Sequence, residues 1–418
     1  MAVAFLDIND CNLRLWHGDR QVESPGYALL EGRDYRFGRA ARGAARLQPR
    51  KINTRYWWQL STEPLQPALG PARHTADLVH AHLQALHGEA GEPGQLLVAA
   101  SAGMQREQLS LLLGIAQQCP FEVVGLINRS ALLASLLGNG RDRIFHLEVQ
   151  LHQSLLCELS VSGTDVSARR SVPLPGCGLL QVQERVVEAL SANFVRQTRF
   201  DPRRKAATEQ ALYDALPGAL AALGEATETN VEVSGYRARL SREDLGEAGA
   251  RLFESAAQAM GSLDTGDTII GDPLLGLLPG FQERLPQMQV CPSSATRDAA
   301  LAHGDELFSP GQPLSFRGVL PSLQPGSAAP IEPAFIAPAP AGPQPTHLLR
   351  GATATPLAAG GVDLGGGARI EQRDEGWLAL GPGLELNGRS LQGEQALVAG
   401  DVLLVGGDEV RLIDVEPG

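Results

Sequence analysis

The chain has 418 residues, of which 43% are hydrophobic and 20% are charged, and a formal net charge of −12. This length is enough for about two to four domains with substantial cores. The acidic balance argues against a nucleic-acid-binding or anionic-membrane-binding surface, because phosphate groups require a basic footprint on the protein.

The cysteine pattern and the absence of targeting signals place the chain in the cytoplasm. Five cysteines are scattered along the sequence without a C-x-x-C motif, so we expect neither a disulfide framework nor a zinc site. No basic region precedes an apolar run at the N-terminus, and no apolar run reaches about 18 residues. The sequence therefore predicts a cytoplasmic protein without membrane insertion.

Hydrophobic periodicity predicts alternating strands and helices over most of the chain. The first two strands, 3–8 and 13–19, flank a polar turn and predict a hairpin. Residues 144–160 alternate apolar and polar positions, which is typical of a strand. The other predicted strands are 96–100, 121–127, the 232–240 hairpin and 267–271; the predicted helices are 74–87, 104–119, 129–138, 179–193, 202–223 and 241–260, the last beginning at the near capping box S-R-E-D-L.

A proline-rich segment divides the chain. Proline recurs throughout residues 318–345 without apolar periodicity, which indicates a semi-extended linker. The sequence therefore predicts a large body, residues 1–317, and a C-terminal module, residues 346–418. Short apolar runs separated by glycines predict an all-β fold for that module.

Several motifs of the body resemble one known family. F-G-R-A-A-R (37–42), L-V-A-A-S-A-G-M-Q-R-E-Q-L (97–109), I-N-R-S-A-L-L-A-S-L-L-G (127–138) and A-L-A-H-G-D (300–305) follow in order. They resemble motifs of the nucleotide-binding domain of DnaK-type heat-shock chaperones, members of the actin-like ATPase superfamily. The resemblance implies a two-lobed α/β actin-like ATPase fold over residues 1–317.

The first phosphate-binding hairpin of that family departs from its pattern here. The family motif D-L-G-T-T reads D-I-N-D-C-N. Asp7 is retained, Asn9 replaces glycine, and Asp10 adds a carboxylate where anionic oxygens would lie. Glycine is needed in such a turn because backbone amides must approach phosphate without a side chain between them.

The remaining nucleotide-site motifs depart in the same way. The second hairpin, D-L-G-G-G-T in the family, reads L-E-V-Q-L-H, where Glu148 stands for the aspartate and Gln150 lies among the side chains that replace glycines. The family's G-G-S-S-R-I-P is replaced by a segment that begins at Gly271. Arg42 stands for the catalytic lysine, and its wider planar head makes this replacement non-conservative.

Two functions from different classes are consistent with these departures. The first is a non-catalytic, DnaK-like scaffold or regulatory protein, a pseudo-ATPase without a cofactor that acts through protein partners. The alternative is an ATP-binding switch or co-chaperone with weak ATPase activity, in which Asp7, Arg42 and Glu148 hold ATP or ADP with Mg²⁺. Too few residues follow Phe308 before the linker for the family's peptide-binding domain. Filament formation is an analogy from the fold alone.

The C-terminal module resembles a shortened forkhead-associated (FHA) domain. The resemblance lies in L-E-L-N-G-R-S-L (384–391) and L-V-A-G-D-V-L-L-V-G (397–406), and it implies a β-sandwich that binds phosphothreonine. The family's phosphate-binding arginine and S-x-x-H element are missing. Asn387 remains, and Arg350 and Arg369 are the cations that could bind a phosphopeptide instead. A sandwich that binds a protein or packs on the body of its own chain, without phosphate recognition, is the favoured interpretation.

Two groups of histidines are candidates for a functional site. His74, His80, His82 and His87 lie on the helix predicted for 74–87 and indicate a polar helix face rather than a metal site. His146 and His152 lie on the same predicted strand face as Glu148 and Gln150, and a solvated strand face is the favoured interpretation. Trp57 or Trp58 is expected in a core or an interface.

Overall fold

The computed structural model of the protein describes residues 3–138, 143–278, 280–308, 314–323, 345–350, 353–357, 361–365, 367–373, 376–381, 384–387, 389–390, 395–405 and 408–414. Over these residues the chain is mixed α/β. It divides into two compact units, Met1–Ser327 and Ala328–Gly418. None of the helices in the described part combines the length and the apolar character needed to cross a bilayer.

The first unit contains all the helices found in the described residues. Its strands are β1 (Ala4–Ile8), β2 (Leu13–His17), β3 (Arg20–Ser24), β4 (Ala28–Glu31), β5 (Asp34–Phe37), β6 (Ile52–Asn53), β7 (Pro64–Leu69), β8 (Ala72–His74), β9 (Gln95–Ala100), β10 (Glu122–Asn128), β11 (Arg143–Val149), β12 (Ser154–Ser162), β13 (Asp165–Leu174), β14 (Glu228–Val233), β15 (Tyr236–Ser241), β16 (Thr268–Gly271), β17 (Met288–Val290), β18 (Phe316–Arg317) and β19 (Val319–Pro321). Its helices are α1 (Gly38–Arg42), α2 (Thr75–Glu89), α3 (Arg106–Ala116), α4 (Arg129–Leu137), α5 (Leu179–Thr198), α6 (Ala206–Glu225), α7 (Ala250–Met260), α8 (Phe281–Arg284) and α9 (Ala295–His303).

Two six-stranded sheets of this unit share one arrangement over five of their strands, and the sixth strand lies at opposite ends of the two sheets. Their strand orders are β3-β2-β1-β9-β10-β18 and β19-β13-β12-β11-β16-β17. In each sheet three consecutive strands pair antiparallel, and the first of the three also pairs in parallel with a later strand. Parallel pairs require long crossovers, and helices provide them here. The β1–β2 turn and the β11–β12 turn therefore occupy equivalent positions in the two sheets.

Helix α4 packs against both sheets. It contacts β9 and β10 of the first sheet and β11, β12 and β16 of the second. Its residues 131–134 are fully buried, as expected of a helix that is apolar all round. They share one core with Leu97 of the first sheet, Leu159 of the second and Ala299 of α9. Both the start of α4 and the residues around it are thereby removed from solvent.

The helix predicted to begin at S-R-E-D-L begins later. Ser241 and Asp244 do make the capping contacts: the Ser241 amide donates to Asp244 Oδ2 at 2.8 Å, and the Asp244 amide donates to Ser241 Oγ at 3.2 Å. Only a 3₁₀ turn follows, and α7 starts at Ala250. Gly246 and Gly249 lie in between, and glycine weakens a helix by about 1 kcal/mol relative to alanine.

The polar-face interpretation of α2 is wrong for two of its histidines. His82 is 0% exposed, and His87 is buried as well. Trp57 Nε1 donates to His82 Nδ1 at 3.1 Å, His82 Nε2 lies 2.7 Å from Ser24 Oγ, and the ring stacks on Phe37. Burial lowers the pKa of His82 to about 3, so the ring is neutral. Trp57 is a core residue, as predicted.

The first unit continues beyond the predicted boundary at residue 317. Strand β19 pairs antiparallel with β13, and the Leu323 amide donates to the Ser135 carbonyl oxygen at 2.7 Å. The apolar pair Val319–Leu320 supports this edge strand, and its proline lies at the strand end, where an amide donor is not required. Residues 324–344 of the predicted linker lie outside the described residues.

The described residues of the second unit form strands and no helix, as the apolar runs predicted. The strands are β20 (His347–Arg350), β21 (Thr353–Pro356), β22 (Val362–Gly365), β23 (Ala368–Arg373), β24 (Gly376–Leu380), β25 (Leu384–Leu386), β26 (Arg389–Ser390), β27 (Gln395–Leu397), β28 (Val402–Val405) and β29 (Asp408–Ile413). They form sheets of order β21-β20-β29-β28-β25-β26 and β22-β23-β24-β27. Ile370 and Trp377 of the smaller sheet share a core with Leu403 and Leu412 of the larger one.

Candidate functional site

The β1–β2 turn and the β11–β12 turn of the first unit are bonded to each other. Asn9 Nδ2 donates to the Val149 carbonyl oxygen at 3.0 Å, and the Leu151 amide donates to Asp10 Oδ1 at 2.7 Å. Asn9 and Asp10 are both more than nine-tenths buried. The side chains at which the first turn departs from the glycine pattern therefore bridge the two turns.

The backbone amides of these turns already have acceptors within the protein. In the first turn the Cys11 amide donates to Asn9 Oδ1 and the Asn12 amide donates to the Asn9 carbonyl oxygen, both at 2.9 Å. In the second turn the Gln150 amide donates to the Gln153 carbonyl oxygen at 2.9 Å. Amides in successive turn positions are the donors that a phosphate-binding turn offers. Here these donors are used internally.

A buried arginine lies beside the turns. Asn128 caps α4 by accepting a hydrogen bond from the Ala131 amide at 3.0 Å, which makes Arg129 the first helical residue. Arg129 Nε donates to Asp7 Oδ1 at 2.8 Å, and Arg129 Nη2 forms an ion pair of 2.8 Å with Asp272 Oδ1. Because Arg129 is 2% exposed, this guanidinium depends on the two carboxylates for compensation of its charge.

Asp272 connects this ion pair to both turns. Its Oδ2 accepts hydrogen bonds from the Val149 amide at 2.9 Å and from Asn9 Nδ2 at 3.2 Å. His146 Nε2 lies 3.4 Å from its Oδ1. Burial favours the neutral acid, but the Arg129 guanidinium, His146 and the Val149 amide together lower the pKa of Asp272. Asp272 is therefore an anion that fixes the position of the second turn.

Strand β11 contributes buried polar side chains rather than a solvated face, so that interpretation is wrong for His146 and Glu148. Both residues are 0% exposed, because other elements pack on this face of β11: helix α4 contacts the strand, and its Ser130 Oγ lies 2.8 Å from His146 Nδ1. Ser101 Oγ donates to Glu148 Oε2 at 3.1 Å, and Gln150 Nε2 donates to Glu148 Oε1 at 3.1 Å. Burial raises the pKa of Glu148.

Asp10 and Asp7 have different environments. Burial raises the pKa of Asp10 to about 7, and Asp10 Oδ2 has no hydrogen-bond partner among the described residues. Asp7 Oδ2 accepts a hydrogen bond from Thr296 Oγ1 of α9 at 3.0 Å. The two turns and the residues beside them thus hold four carboxyl groups, two of which pair with the one buried guanidinium.

A cavity of about 620 Å³ adjoins this cluster. Asn9, Arg129 and Asp272 line it on one side, and Arg42 of α1 lines it as well. In the described part of the chain, the Arg42 guanidinium has no hydrogen-bond or ion-pair partner. Arg42, the residue predicted to replace a catalytic lysine, therefore lines this cavity without an ion-pair partner in the described part of the chain.

Gly271 has a packing role. A Cβ added at this position would lie 2.7 Å from Met288 Sδ and 3.0 Å from Leu275 Cδ1. A side chain here would require the Met288 and Leu275 side chains to move. The close packing accounts for Gly271 without a bound nucleotide.

Sequence reasoning placed most of the cluster but missed its centre. Asp7, Asn9, Asp10, Glu148 and Gln150 are brought together around the two turns, and Arg42 lines the adjoining cavity. The missed residues are Arg129, Asp272, His146 as a buried group, and Thr296. The available signal was a charge reversal, because Arg129 stands in I-N-R-S-A where the resembling family motif has glutamate.

The residues suggested for phosphopeptide binding do not form one cationic group. Arg350 ends β20 in the larger sheet, whereas Arg369 lies on β23 of the smaller sheet and pairs with Glu371 at 2.8 Å. Asn387 Nδ2 donates to Asp401 Oδ1 at 2.8 Å, and its Oδ1 accepts from the Val402 amide at 2.9 Å. Asn387 therefore holds the β25–β28 loop region together.

No group of three or more His, Cys, Asp or Glu side chains within the described ranges has the arrangement needed to hold a metal ion. No protein-family model matches the chain, and no curated protein matches it at a significant level.

Proposed function

We propose that the protein is a non-catalytic scaffold or regulatory protein that acts through protein–protein contacts and carries a degenerate DnaK-like nucleotide site. Two observations support a two-lobed actin-like fold for the first unit. Five strands are arranged in the same way in the two six-stranded sheets, and equivalent turns of the two sheets meet, as two phosphate-binding hairpins do in that superfamily. The colinear motifs of the sequence add to this support.

The main support for the proposal is that backbone amides of the two turns already donate hydrogen bonds within the protein. A phosphate-binding turn must present free N–H donors to the anion. The amides of Cys11, Asn12, Gln150 and Leu151 all donate to protein acceptors. A nucleotide would have to replace these bonds, and buried donors and acceptors left without partners cost about 1–3 kcal/mol each.

The buried charges support the same function. The Arg129 guanidinium is already paired with Asp7 and Asp272, so little of its charge is left for a phosphate. Asp10 and Glu148 add carboxyl groups in the same region. The protein therefore holds its own cation at the centre of the cluster.

The second unit supplies a separate contact in this proposal. The internal bonds of Asn387 and the Arg369–Glu371 pair favour a sandwich that binds protein without phosphate. A linker between two binding modules raises the effective concentration of the second for a shared partner.

Isothermal titration of ATP·Mg²⁺ and of ADP into the purified full chain tests the proposal, with Arg42→Ala as the companion variant. We expect no binding heat at millimolar nucleotide for either protein. Micromolar binding that Arg42→Ala weakens would overturn the proposal and establish the ATP-dependent switch instead.

A further inference from the structure

The cavity beside the cluster has two chemically different sides. Its volume of about 620 Å³ falls within the range of about 300–1,000 Å³ that is usual for small-molecule sites. Most of its lining is aliphatic, and the cations lie together on β2 and α1. This division matches a ligand with a hydrocarbon part and an anionic part.

The apolar side is formed by α5, α6 and the 3₁₀ turn Pro273–Leu277. Val182 and Val186 come from α5, and Leu216 and Leu220 come from α6. Leu277 also lines the cavity and belongs to none of the buried core clusters of the described residues. Covering such a surface with hydrocarbon is favourable by about 25 cal/mol per Å².

The cationic side carries more positive charge than its neighbours neutralise. Arg14 and Arg39 both pair with a single carboxylate, that of Glu23, at 3.3 Å and 2.5 Å. Arg42 has no partner for its guanidinium among the described residues. One singly charged anionic group at this side would therefore find a charge-assisted partner.

A second polar group of the lining is also unsatisfied. Arg129 lines the cavity and is 2% exposed. Its Nη1 has no hydrogen-bond partner in the described part of the chain. This nitrogen is closed to solvent and Arg129 is already paired with Asp7 and Asp272, which leaves Arg42 as the cation of the lining that a ligand can reach.

We propose that this cavity binds a single-chain amphipathic anion of the long-chain fatty carboxylate class. The hydrocarbon chain packs on the leucine and valine side, and the carboxylate binds Arg42. A nucleotide fits the cavity less well, because its base and ribose need polar partners that the aliphatic side does not offer. The inference does not depend on the protein–protein function proposed above.

The test is titration of dodecanoate into the full chain below its micelle concentration. Dodecanol, with the same chain and no charge, and propanoate, with the same charge and a short chain, are the ligand controls. We expect dodecanoate to bind at least about tenfold more tightly than either, because both halves of the ligand contribute.

Substitutions inside and outside the cavity test whether dodecanoate binds there. Arg42→Gln removes the anion partner and Leu277→Asn places an amide in the apolar side, and we expect each to weaken dodecanoate binding about tenfold. Arg33→Gln and Leu301→Asn, at exposed positions outside the cavity, should leave it unchanged. Absence of dodecanoate binding, equal binding of dodecanol, or equal binding by all four variants would overturn the proposal. ATP binding would refute the scaffold proposal, whereas the dodecanoate titration decides this one.

Discussion

Arg129 Nε donates a 2.8 Å hydrogen bond to Asp7 Oδ1 and thereby joins the first residue of α4 to the first strand of the chain. Both side chains are almost completely buried. The same guanidinium pairs with Asp272 at the end of β16. One residue thus connects the two sheets at the point where their turns meet.

Replacing Arg129 by methionine should destabilise the protein strongly. The change leaves two buried carboxylates without their cation, and breaking a buried ion pair costs about 3–5 kcal/mol. Urea unfolding measures this loss. Arg106→Met, at an exposed position of α3, is the matched control and should change stability by less than about 0.5 kcal/mol. A loss below about 1 kcal/mol for Arg129→Met would show that the pair is not formed.

Asp10 should make stability depend on pH. Burial raises its pKa from 3.8 to about 7, so folding takes up a proton between these values. The free energy of unfolding therefore falls as pH rises through this window and stays lower above it. Asp10→Asn keeps the acceptor for the Leu151 amide but cannot ionise.

The unfolding free energy of Asp10→Asn relative to that of the wild type should therefore increase as pH rises. We expect its advantage in unfolding free energy to be about 3–4 kcal/mol larger at about pH 8 than at about pH 4. Denaturant unfolding of both proteins at the two pH values measures the difference. A difference that stays constant with pH would mean that Asp10 ionises in the folded protein as it does in the unfolded chain.

Asn9 should be a strong structural determinant of the paired turns. Asn9→Ala removes the bonds to Val149 and Asp272 and leaves the Cys11 amide without its acceptor. We expect a loss of about 2–3 kcal/mol in unfolding free energy. Asn230→Ala, at an exposed position of β14, should be nearly neutral. Equal effects of the two changes would contradict the bridging role.

The course of the strands and helices could be predicted from the sequence, but the centre of the site could not. Periodicity located β1, β9, β10, β11 and α4, because apolar alternation depends only on which faces are covered. It did not reveal that α4 packs on the polar face of β11, and so it predicts a solvated face for His146 and Glu148. Burial of a polar side chain depends on which elements pack on its face in the folded protein.

Arg129 shows the same limit in another way. The motif that contains it could be recognised, but its two carboxylate partners lie on β1 and after β16. Only the folded arrangement of both sheets brings Asp7 and Asp272 to one guanidinium. The sequence carried the charge reversal as a signal, without indicating which residues would compensate it.

His82 should remain neutral in mildly acidic solution. Burial lowers its pKa to about 3, and Nδ1 is an acceptor for Trp57 Nε1–H. Nitrogen-15 NMR of the imidazole at about pH 5 distinguishes the neutral ring from the imidazolium. We expect the neutral form. An imidazolium signal at that pH would mean that the cluster around Trp57 is open to solvent.

The central claim is that the two turns are bonded to each other rather than to a nucleotide. Amide hydrogen exchange of the full chain, with and without millimolar ATP·Mg²⁺, tests it most directly. The account predicts slow exchange at Val149 and Leu151, whose amides donate to Asp272 and Asp10, with no change on adding nucleotide. Rapid exchange at Leu151, or nucleotide-dependent protection across residues 9–12 and 150–153, would contradict it.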